Sequence, residues 1–213
     1  TMAPDQLIHG VELRYALFGL DMRARNEIRR LWPTIAPRLD KAVDDLLDAT
    51  ARLPRISAIV TENRESMKRL ELAHLHALLN GDLDGGYLES CRRTVAQETA
   101  LGLDARIRST AANYVLRAAV DALAAKHRFS PAKVAEGTKL ISQALAFDVS
   151  NAMMLHREAM ENATDTRRAA IEEAIADFAA AIGDVMRAIN EASTSLTGTC
   201  ASIRSSASST ANG

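Results

Sequence analysis

The chain has 213 residues, of which 47% are hydrophobic and 25% are charged. This length fits one domain, or one domain with an appended element, and the composition is sufficient to bury a core. Aromatic residues make up only 4%, which favours long helices over a β-sandwich or barrel. The net charge of −1 lacks the basic excess typical of proteins that bind phosphate backbones, so we expect no nucleic-acid partner.

The two cysteines, Cys91 and Cys200, lie far apart and belong to no CxxC or Cys/His cluster. Neither a disulfide framework nor a structural zinc site is expected from this spacing. The apolar stretches, of which residues 176–182 are among the longest, are interrupted by charge well short of the ~20 residues that a membrane span needs. No signal peptide opens the chain. We therefore expect a cytoplasmic protein without a membrane span.

Capping residues and prolines divide the chain into predicted helices. Asp21 and Asp104 are candidate N-caps, and Pro131 stands at a first helical position. Pro33 and Pro37 are expected to break or kink the chain. No stretch alternates with a period of two, so the sequence predicts an all-α fold of six to eight helices. A short segment at residues 56–60 precedes Thr61, which is a candidate cap of the helix that follows it. The predicted helices cover residues 22–31, 39–53, 62–79, 87–100, 105–126 and 131 to about 160.

Beyond residue 170 the apolar residues recur in alternating steps of four and three. This 3.5-residue period runs through more than four heptads and is typical of a coiled-coil seam. Because a single amphipathic helix cannot bury such a seam, the region predicts a homodimer. The alternative for the Ser- and Ala-rich end after Ser193 is a frayed tail. The seam consists of Ile171, Ile175, Phe178, Ile182, Val185, Ile189, Leu196 and Ile203.

Candidate metal ligands are few. Glu71 and His74 form one Glu-x-x-His step, which is half of a di-iron helix-bundle motif, but no other histidine has a Glu three residues before it. His76 is only two residues from His74, which does not match an HExxH pair. An acidic helix face is interrupted by Lys41 and is more typical of a solvated surface, so we expect no metal. Its members are Asp40, Asp44, Asp45 and Asp48.

Motifs of known enzyme classes do not occur. The sequence contains no GxGxxG, no GxxxxGK[ST] and no GxSxG, and its histidines lie in no recognised Ser-His-Asp context. The Gly85-Gly86 pair is better interpreted as the start of a helix than as a phosphate loop. We therefore predict that the protein is not an enzyme.

Short motifs occur in a fixed order along roughly residues 12–158. Each has modest specificity alone, and the comparison depends on their order and spacing. The motifs are Leu17-Phe18-Gly19-Leu20-Asp21, Pro33-Thr34-Ile35-Ala36-Pro37, Leu53-Pro54, His74-Leu75-His76-Ala77-Leu78-Leu79-Asn80-Gly81, Asp84, Tyr87-Leu88-Glu89, Arg93 and Leu101-Gly102-Leu103. The series resembles the globin domain of bacterial globin-coupled sensors, which are cytoplasmic oxygen sensors and aerotaxis receptors. The resemblance implies a protoglobin-like sensor domain over residues 1–160.

The sequence departs from that family at the haem ligands. In haem-binding members a proximal His lies three residues before the Leu/Ile-Gly-Leu element, and Glu98 stands at that position here. The distal Tyr is replaced by Leu47, and the Pro-Arg/Lys-Trp-Tyr element after Gly-Leu is replaced by Ala-Arg-Ile-Arg at residues 105–108. A carboxylate is a poor replacement for imidazole on haem iron. The comparison therefore implies a sensor without haem, and we expect no cofactor.

The former haem pocket has two predicted fates. In the first, Glu98 turns outward or meets a neighbouring Arg, and residues such as Leu47, Leu70 and Val95 close the space. In the second, a small polar ligand, or pH itself, is sensed through Glu98 and His74 across the pocket. Burial raises the pKa of a carboxylate and so provides a physical route to pH sensitivity.

The last third resembles a second family. Residues 168–178 (RAAIEEAIADF), 182–185 (IGDV) and 192–196 (ASTSL) resemble the start of the signalling helix of methyl-accepting chemotaxis proteins. In that family a dimer forms a long antiparallel four-helix bundle that engages a histidine kinase and an adaptor. The resemblance implies that residues 161–213 begin such a signalling region, whose kinase-contacting tip is not in this sequence.

These observations favour the sensor region of a cytoplasmic chemotaxis receptor, in which a haem-free globin-like domain is followed by a long coiled-coil helix. The partners implied are a second copy of the chain, the histidine kinase and adaptor, and an unidentified small ligand. One alternative is a haem-free globin that regulates or scaffolds a stress-signalling complex. A second alternative is a haem-based oxygen sensor with an unusual ligand such as His74.

Overall fold

A computed structural model of the protein describes residues 13–80, 83 and 85–211, with side-chain exposure through Ile203. All regular structure in these ranges is helical, which confirms the all-α prediction. None of the described helices has the length and apolarity that crossing a bilayer requires. The motif residues Gly81 and Asp84 lie outside the described residues. The helices are α1, described over residues 13–17, α2 (Met22–Thr50), α3 (Ser57–Asn80), α4 (Gly85–Ala100), α5 (Arg106–Lys126) and α6 (Pro131–Ala211).

Helix α2 begins at the predicted cap and continues through both prolines. The Asp21 carboxylate accepts a hydrogen bond from the Ala24 backbone N–H at 2.7 Å. The predicted break at Pro33 and Pro37 is wrong, because both prolines lie inside the helix. An interior proline costs about 3 kcal/mol, but burying a Leu or Ile side chain gains roughly 1.5–3 kcal/mol, so a long buried face outweighs two prolines. That face consists of Ala24, Ile28, Ile35, Leu39, Ala42, Val43, Leu46, Leu47 and Thr50.

The connection between α2 and α3 also differs from the prediction. Helix α2 ends at Thr50 and not at residue 53, and tighter turns follow it, in which the Arg52 and Leu53 N–H groups donate to the Ala49 and Thr50 carbonyls. The predicted segments 56–60 and 62–79 form one helix, α3. Thr61 is inside this helix and is not a cap, since its hydroxyl donates to the Ser57 carbonyl.

The chain divides into two compact units, Thr1–Met160 and Glu161–Gly213. In the first unit α2 packs against α3 and α5, and α3 packs against α4. The ring of Phe147 from α6 lies 5.1 Å from that of Tyr15 and 5.8 Å from that of Tyr87, between centroids. The largest side chains that are almost fully buried are Tyr87, Phe147, Leu20, Ile35, Leu39, Leu75, Leu78, Leu79, Leu123, Ile141, His74 and Val43.

The second unit consists of the rest of α6. The helix continues to Ala211, so the Ser- and Ala-rich stretch after Ser193 is helical over the residues that the structure describes, and not a frayed tail. Every side chain described from residue 161 to residue 203 is exposed, and all eight seam residues are among them. Phe178 is 68% exposed and Ile182 is 47% exposed. The predicted seam is therefore an apolar row that the single chain does not cover.

Candidate functional site

Six ionisable side chains meet inside the first unit and form what we call the ionic network. Helices α3 and α6 supply two each, and α4 and α5 supply one each. None of the six is more than 6% exposed. Charged side chains are almost never buried this completely unless they are paired. The ionic network consists of Glu71, His74, Glu98, Arg108, Asp148 and His156.

Helix periodicity places these side chains on inward faces. Glu71 and His74 are three residues apart in α3, so they project from the same side of that helix. Asp148 and His156 are eight residues apart in α6, which is a little over two turns. Arg108 lies in the first turn of α5. Four helices therefore contribute to one cluster.

Arg108 is the centre of the ionic network. Its Nε donates to Glu98 Oε1 at 2.7 Å, and its Nη2 donates to the Glu71 carboxylate. Its Nη1 lies 3.9 Å from Asp148 Oδ2. Burial by itself would lower the pKa of the Arg108 guanidinium, but the charges of these three carboxylates outweigh it and raise the pKa above its ordinary value. One guanidinium thus holds carboxylates from three other helices.

Asp148 forms the other end of the ionic network. Its Oδ1 accepts hydrogen bonds from His74 Nε2 at 2.8 Å and from the Tyr87 hydroxyl at 2.9 Å. The Tyr87 oxygen in turn accepts from Asn151 Nδ2 at 3.0 Å. Burial alone would raise the pKa of Asp148, but the attraction of His74 and Arg108 and these hydrogen bonds outweigh it and lower the pKa. Asp148 is therefore ionised at neutral pH despite its burial.

His156 ties Glu98 to α6. Its Nε2 donates to Glu98 Oε2 at 2.8 Å, so Glu98 receives one hydrogen bond from α5 and another from α6. The network contains three carboxylates and one guanidinium, and its charges cancel when both histidines are protonated. Removing one member of a buried ion pair leaves an uncompensated charge, which costs about 3–5 kcal/mol.

The structure places the two residues predicted to sense a ligand or pH in the same network. Glu98 points inward, and the neighbouring Arg that it meets is Arg108. His74 makes no direct contact with Glu98 among the described interactions. The two are joined through Asp148 and Arg108.

The apolar residues expected to close the haem space do not form one group, since Leu47 and Val95 belong to the hydrophobic core and Leu70 does not. Leu47 and Val95 are buried, and Leu70 is half-buried. A cavity of about 30 Å³ remains beside Glu98, and Leu47 and Leu70 line it while Val95 does not.

Four members of the network, Glu71, Arg108, Asp148 and His156, were not predicted as site residues, and Glu71 was considered only as half of a di-iron motif. In the sequence, Arg108 stands out only as part of residues 105–108, which replace a family element. Asp148 follows Ile141 by seven residues, so helix spacing puts it on the face that buries Ile141 in the core. A single acidic residue at an apolar helix position is the signal that could have identified it.

Cys91 lies next to the ionic network, and its thiol is unreactive near neutral pH. Burial, as the largest cause, and the charge of Asp148 raise the pKa of its thiol to about 12. The same two causes raise the pKa of the Tyr87 hydroxyl well above its ordinary value. Both groups are therefore protonated near neutral pH and act as neutral neighbours of the charges.

The acidic face of α2 is a surface ion-pair network. Arg64 donates to Asp48 at 2.7 Å and to Asp44 at 3.0 Å, and Lys68 bonds Asp44 at 2.7 Å. Hydrogen bonding from Lys68 is the largest cause that lowers the pKa of Asp44. Over the described ranges, no group of three or more His, Cys, Asp or Glu side chains is arranged to hold a metal ion.

Comparison with known proteins identifies one family. The family model described as Protoglobin matches residues 10–162, which is well over half of the chain and covers all six members of the ionic network. A search of curated proteins gives no match.

Proposed function

Because the chain belongs to the protoglobin family, with residues 10–162 as its globin-like sensor domain, we propose that it is the sensor region of a cytoplasmic methyl-accepting chemotaxis receptor. In this proposal the domain holds no haem, catalyses no reaction and forms a homodimer through the seam. The signal passes along α6 to a histidine kinase and its adaptor. One observation carries the proposal: α6 is a single helix from Pro131 to Ala211. It contains two members of the ionic network, Asp148 and His156, as well as the whole seam.

The side chains at the family's haem positions are a poor fit for a haem. Both oxygens of Glu98, at the proximal position, accept hydrogen bonds, one from Arg108 and one from His156. Leu47, at the distal position, has no hydrogen-bond donor to offer a ligand. The cavity of about 30 Å³ beside them has room for about one water molecule. These contacts support a sensor that works without haem.

His74 is no better placed as an iron ligand. Its Nε2 donates to Asp148, and its Nδ1 lies 3.3 Å from the Ser90 hydroxyl. Both ring nitrogens therefore have protein partners, which disfavours an oxygen sensor with an unusual histidine ligand. A haem-free scaffold of a stress-signalling complex shares the same domain, but it gives the exposed seam no role.

The contacts of α6 suggest how a signal leaves the domain. A change at Glu98 acts on α6 through His156, and a change at Arg108 acts on it through Asp148. Packed helices with two discrete arrangements can convert a small shift at one site into a change elsewhere. We propose that the ionic network holds one such arrangement of α6.

The haem-free part of the proposal is tested by an absorption spectrum. Protein expressed with ample haem, and purified protein titrated with haemin, should show no Soret band at one haem per chain. A stoichiometric band that disappears in His74→Leu would overturn this part and favour the oxygen-sensor alternative.

The signalling part is tested with the native cysteines. Cys200 is exposed and Cys91 is buried, so a thiol-reactive spin label attaches to Cys200. Pulsed electron–electron double resonance on the dimer should give one resolved distance between the two labels, and Glu98→Gln should shift it. Glu89→Gln, on the exposed face of the same helix α4, is the matched control and should not. Identical distance distributions in all three proteins would contradict coupling between the ionic network and the seam.

A further inference from the structure

A groove in the first unit lies outside the ionic network and has no role in the function proposed above. Its volume is about 590 Å³, within the roughly 300–1,000 Å³ of typical small-molecule sites. One wall is the connection from α2 to α3 together with the start of α3. The other wall is the turn between α4 and α5 together with the first turns of α5. The lining residues that matter here are Leu53, Arg55, Ile59, Leu101, Leu103 and Ile107.

Both walls of the groove are mainly apolar. Leu53 is 54% exposed at one wall, and Ile59 on the same side is half-buried. Leu103 is buried and Ile107 is half-buried on the other side. Apolar side chains that face each other across an open groove gain free energy when a ligand removes them from water. The groove therefore favours a ligand with an apolar body.

The groove carries one uncompensated positive charge. Asp104 and Arg106 form a two-bond ion pair, with Arg106 Nε and Nη2 donating at 2.9 and 2.5 Å. Hydrogen bonding from Arg106 lowers the pKa of Asp104 to about 2, so these two charges cancel at neutral pH. Arg55 is exposed and has no hydrogen bond or ion pair to any residue that the structure describes.

The hydroxyl groups in the groove are already used. Thr50 Oγ1 donates to the Leu46 carbonyl at 2.7 Å, and Thr110 Oγ1 donates to the Arg106 carbonyl at 3.1 Å. Charge recognition is thus left to Arg55, whose planar guanidinium pairs with a carboxylate through two parallel hydrogen bonds.

We propose that this groove binds an amphipathic organic monoanion, a flexible apolar chain with one carboxylate, whose head group pairs with Arg55. The identification of this ligand as the stimulus rests on the proposed function. Binding itself requires neither the seam nor a kinase.

The groove wall is connected to the ionic network through the backbone. The Leu103 N–H donates to the Glu98 carbonyl at 2.8 Å, which closes the turn after α4. Gly102 within this turn has φ +72°, a conformation that residues with a Cβ rarely adopt. Leu101 and Ile107 line both the groove and the 30 Å³ cavity beside Glu98. A ligand that moves this turn therefore acts on the residue that His156 links to α6.

Isothermal titration calorimetry of the full chain with sodium octanoate, below its micelle concentration, tests the site. We expect one octanoate per chain, with 1-octanol binding at least about tenfold more weakly because it lacks the charge. Arg55→Gln should weaken octanoate binding about tenfold, and Ile59→Trp should abolish it by filling the groove. The matched control is Arg52→Gln, an exposed neighbour that does not line the groove.

The outcomes separate the site from the function. Absence of octanoate binding to the unmodified chain, or equal binding to Arg55→Gln and Arg52→Gln, would overturn the groove proposal. Because Arg55 is exposed, the comparison of these two variants does not depend on whether Ile59→Trp folds. Binding that follows the expected order, with no octanoate effect on the Cys200 distance, would establish the site and overturn the identification of its ligand as the stimulus. Unchanged binding in Ile182→Asp/Ile189→Asp would show that octanoate does not bind at the seam.

Discussion

The two units of the chain differ in what they bury: the first buries charged side chains, and the second leaves apolar side chains exposed. The first, Thr1–Met160, buries six ionisable side chains and pairs each of them within the same chain. The second, Glu161–Gly213, leaves even Phe178 and Ile182 exposed. Burial of apolar surface is worth roughly 25 cal/mol per Å², so the second unit gains that stabilisation only from a partner. Contacts within the chain thus stabilise the first unit, whereas in the proposed homodimer the stability of the second depends on protein concentration.

Replacing Arg108 should have the largest effect and should act on the first unit alone. Arg108→Met leaves the Glu71 and Glu98 carboxylates buried without their cation, which should lower the free energy of unfolding by about 3–5 kcal/mol. Urea unfolding can be followed by the fluorescence of Trp32, the single tryptophan, whose ring lies 5.1 Å from that of His76 in the first unit.

The matched control for this variant is Arg106→Met. Arg106 pairs with Asp104 at the surface, so its replacement should leave the Trp32 transition unchanged. An equal loss of stability in both variants would mean that burial of Arg108 has no special role.

Charging the seam should have the next largest effect and should act on the second unit alone. Ile182→Asp/Ile189→Asp places carboxylates in the proposed dimer interface and should raise the dimer dissociation constant at least about 100-fold, equivalent to about 2.7 kcal/mol. Sedimentation equilibrium measures this change, and the Trp32 unfolding transition should stay the same.

Ala180→Asp/Thr194→Asp adds the same charges on the opposite side of the heptad and is the control, with the dimer expected to persist. The contrast between the units fails if the unmodified chain sediments only as a 23.0 kDa species at tens of micromolar.

The pH dependence of the first unit should show the smallest of these effects. The lowered pKa of Asp148 stabilises the folded state above the ordinary value of 3.8, and this contribution is lost as pH falls through the lower folded value. Asp148→Asn should cost about 1.5–2 kcal/mol at pH 7, near the lower end for a hydrogen bond to a charged group, because the amide oxygen still accepts.

Between about pH 5 and pH 2, the difference between the two proteins should therefore shrink. Urea titrations followed by Trp32 measure it. Asp44→Asn is the control: the pKa of Asp44 is also lowered, but by half-buried partners, Lys68 and Arg64, at the surface, so salt at about 0.5 M should remove its effect and not that of Asp148→Asn. A difference that is constant with pH would contradict the burial argument.

The parts of the fold that follow from local sequence were predictable. The cap at Asp21 and the 3.5-residue seam depend on residues a few positions apart, and both were identified correctly as helical signals. The continuous helix through Pro33 and Pro37 was not, because its stability comes from packing against α3 and α5. A pattern of neighbouring residues in the sequence does not indicate how helices pack against each other.

The ionic network was predictable only in part. Glu98 and His74 could be identified as candidates, the first from the family comparison. Their partners are distant in sequence: 58 residues separate Glu98 from His156, and 37 separate Arg108 from Glu71. Pairs at such distances depend on how the helices pack, and only single features, such as an acidic residue on an apolar face, indicate them beforehand.

The two units differ in the chemical reactivity of their cysteine thiols, Cys91 in the first and Cys200 in the second. A thiolate, not a thiol, is the species that attacks oxidants and electrophiles. With a pKa of about 12, Cys91 exists as thiolate in roughly one molecule in ten thousand at pH 8, and its burial blocks access as well. Cys200 is exposed. Peroxide and alkylating agents therefore modify the second unit first and leave the interior of the first chemically intact for as long as it stays folded.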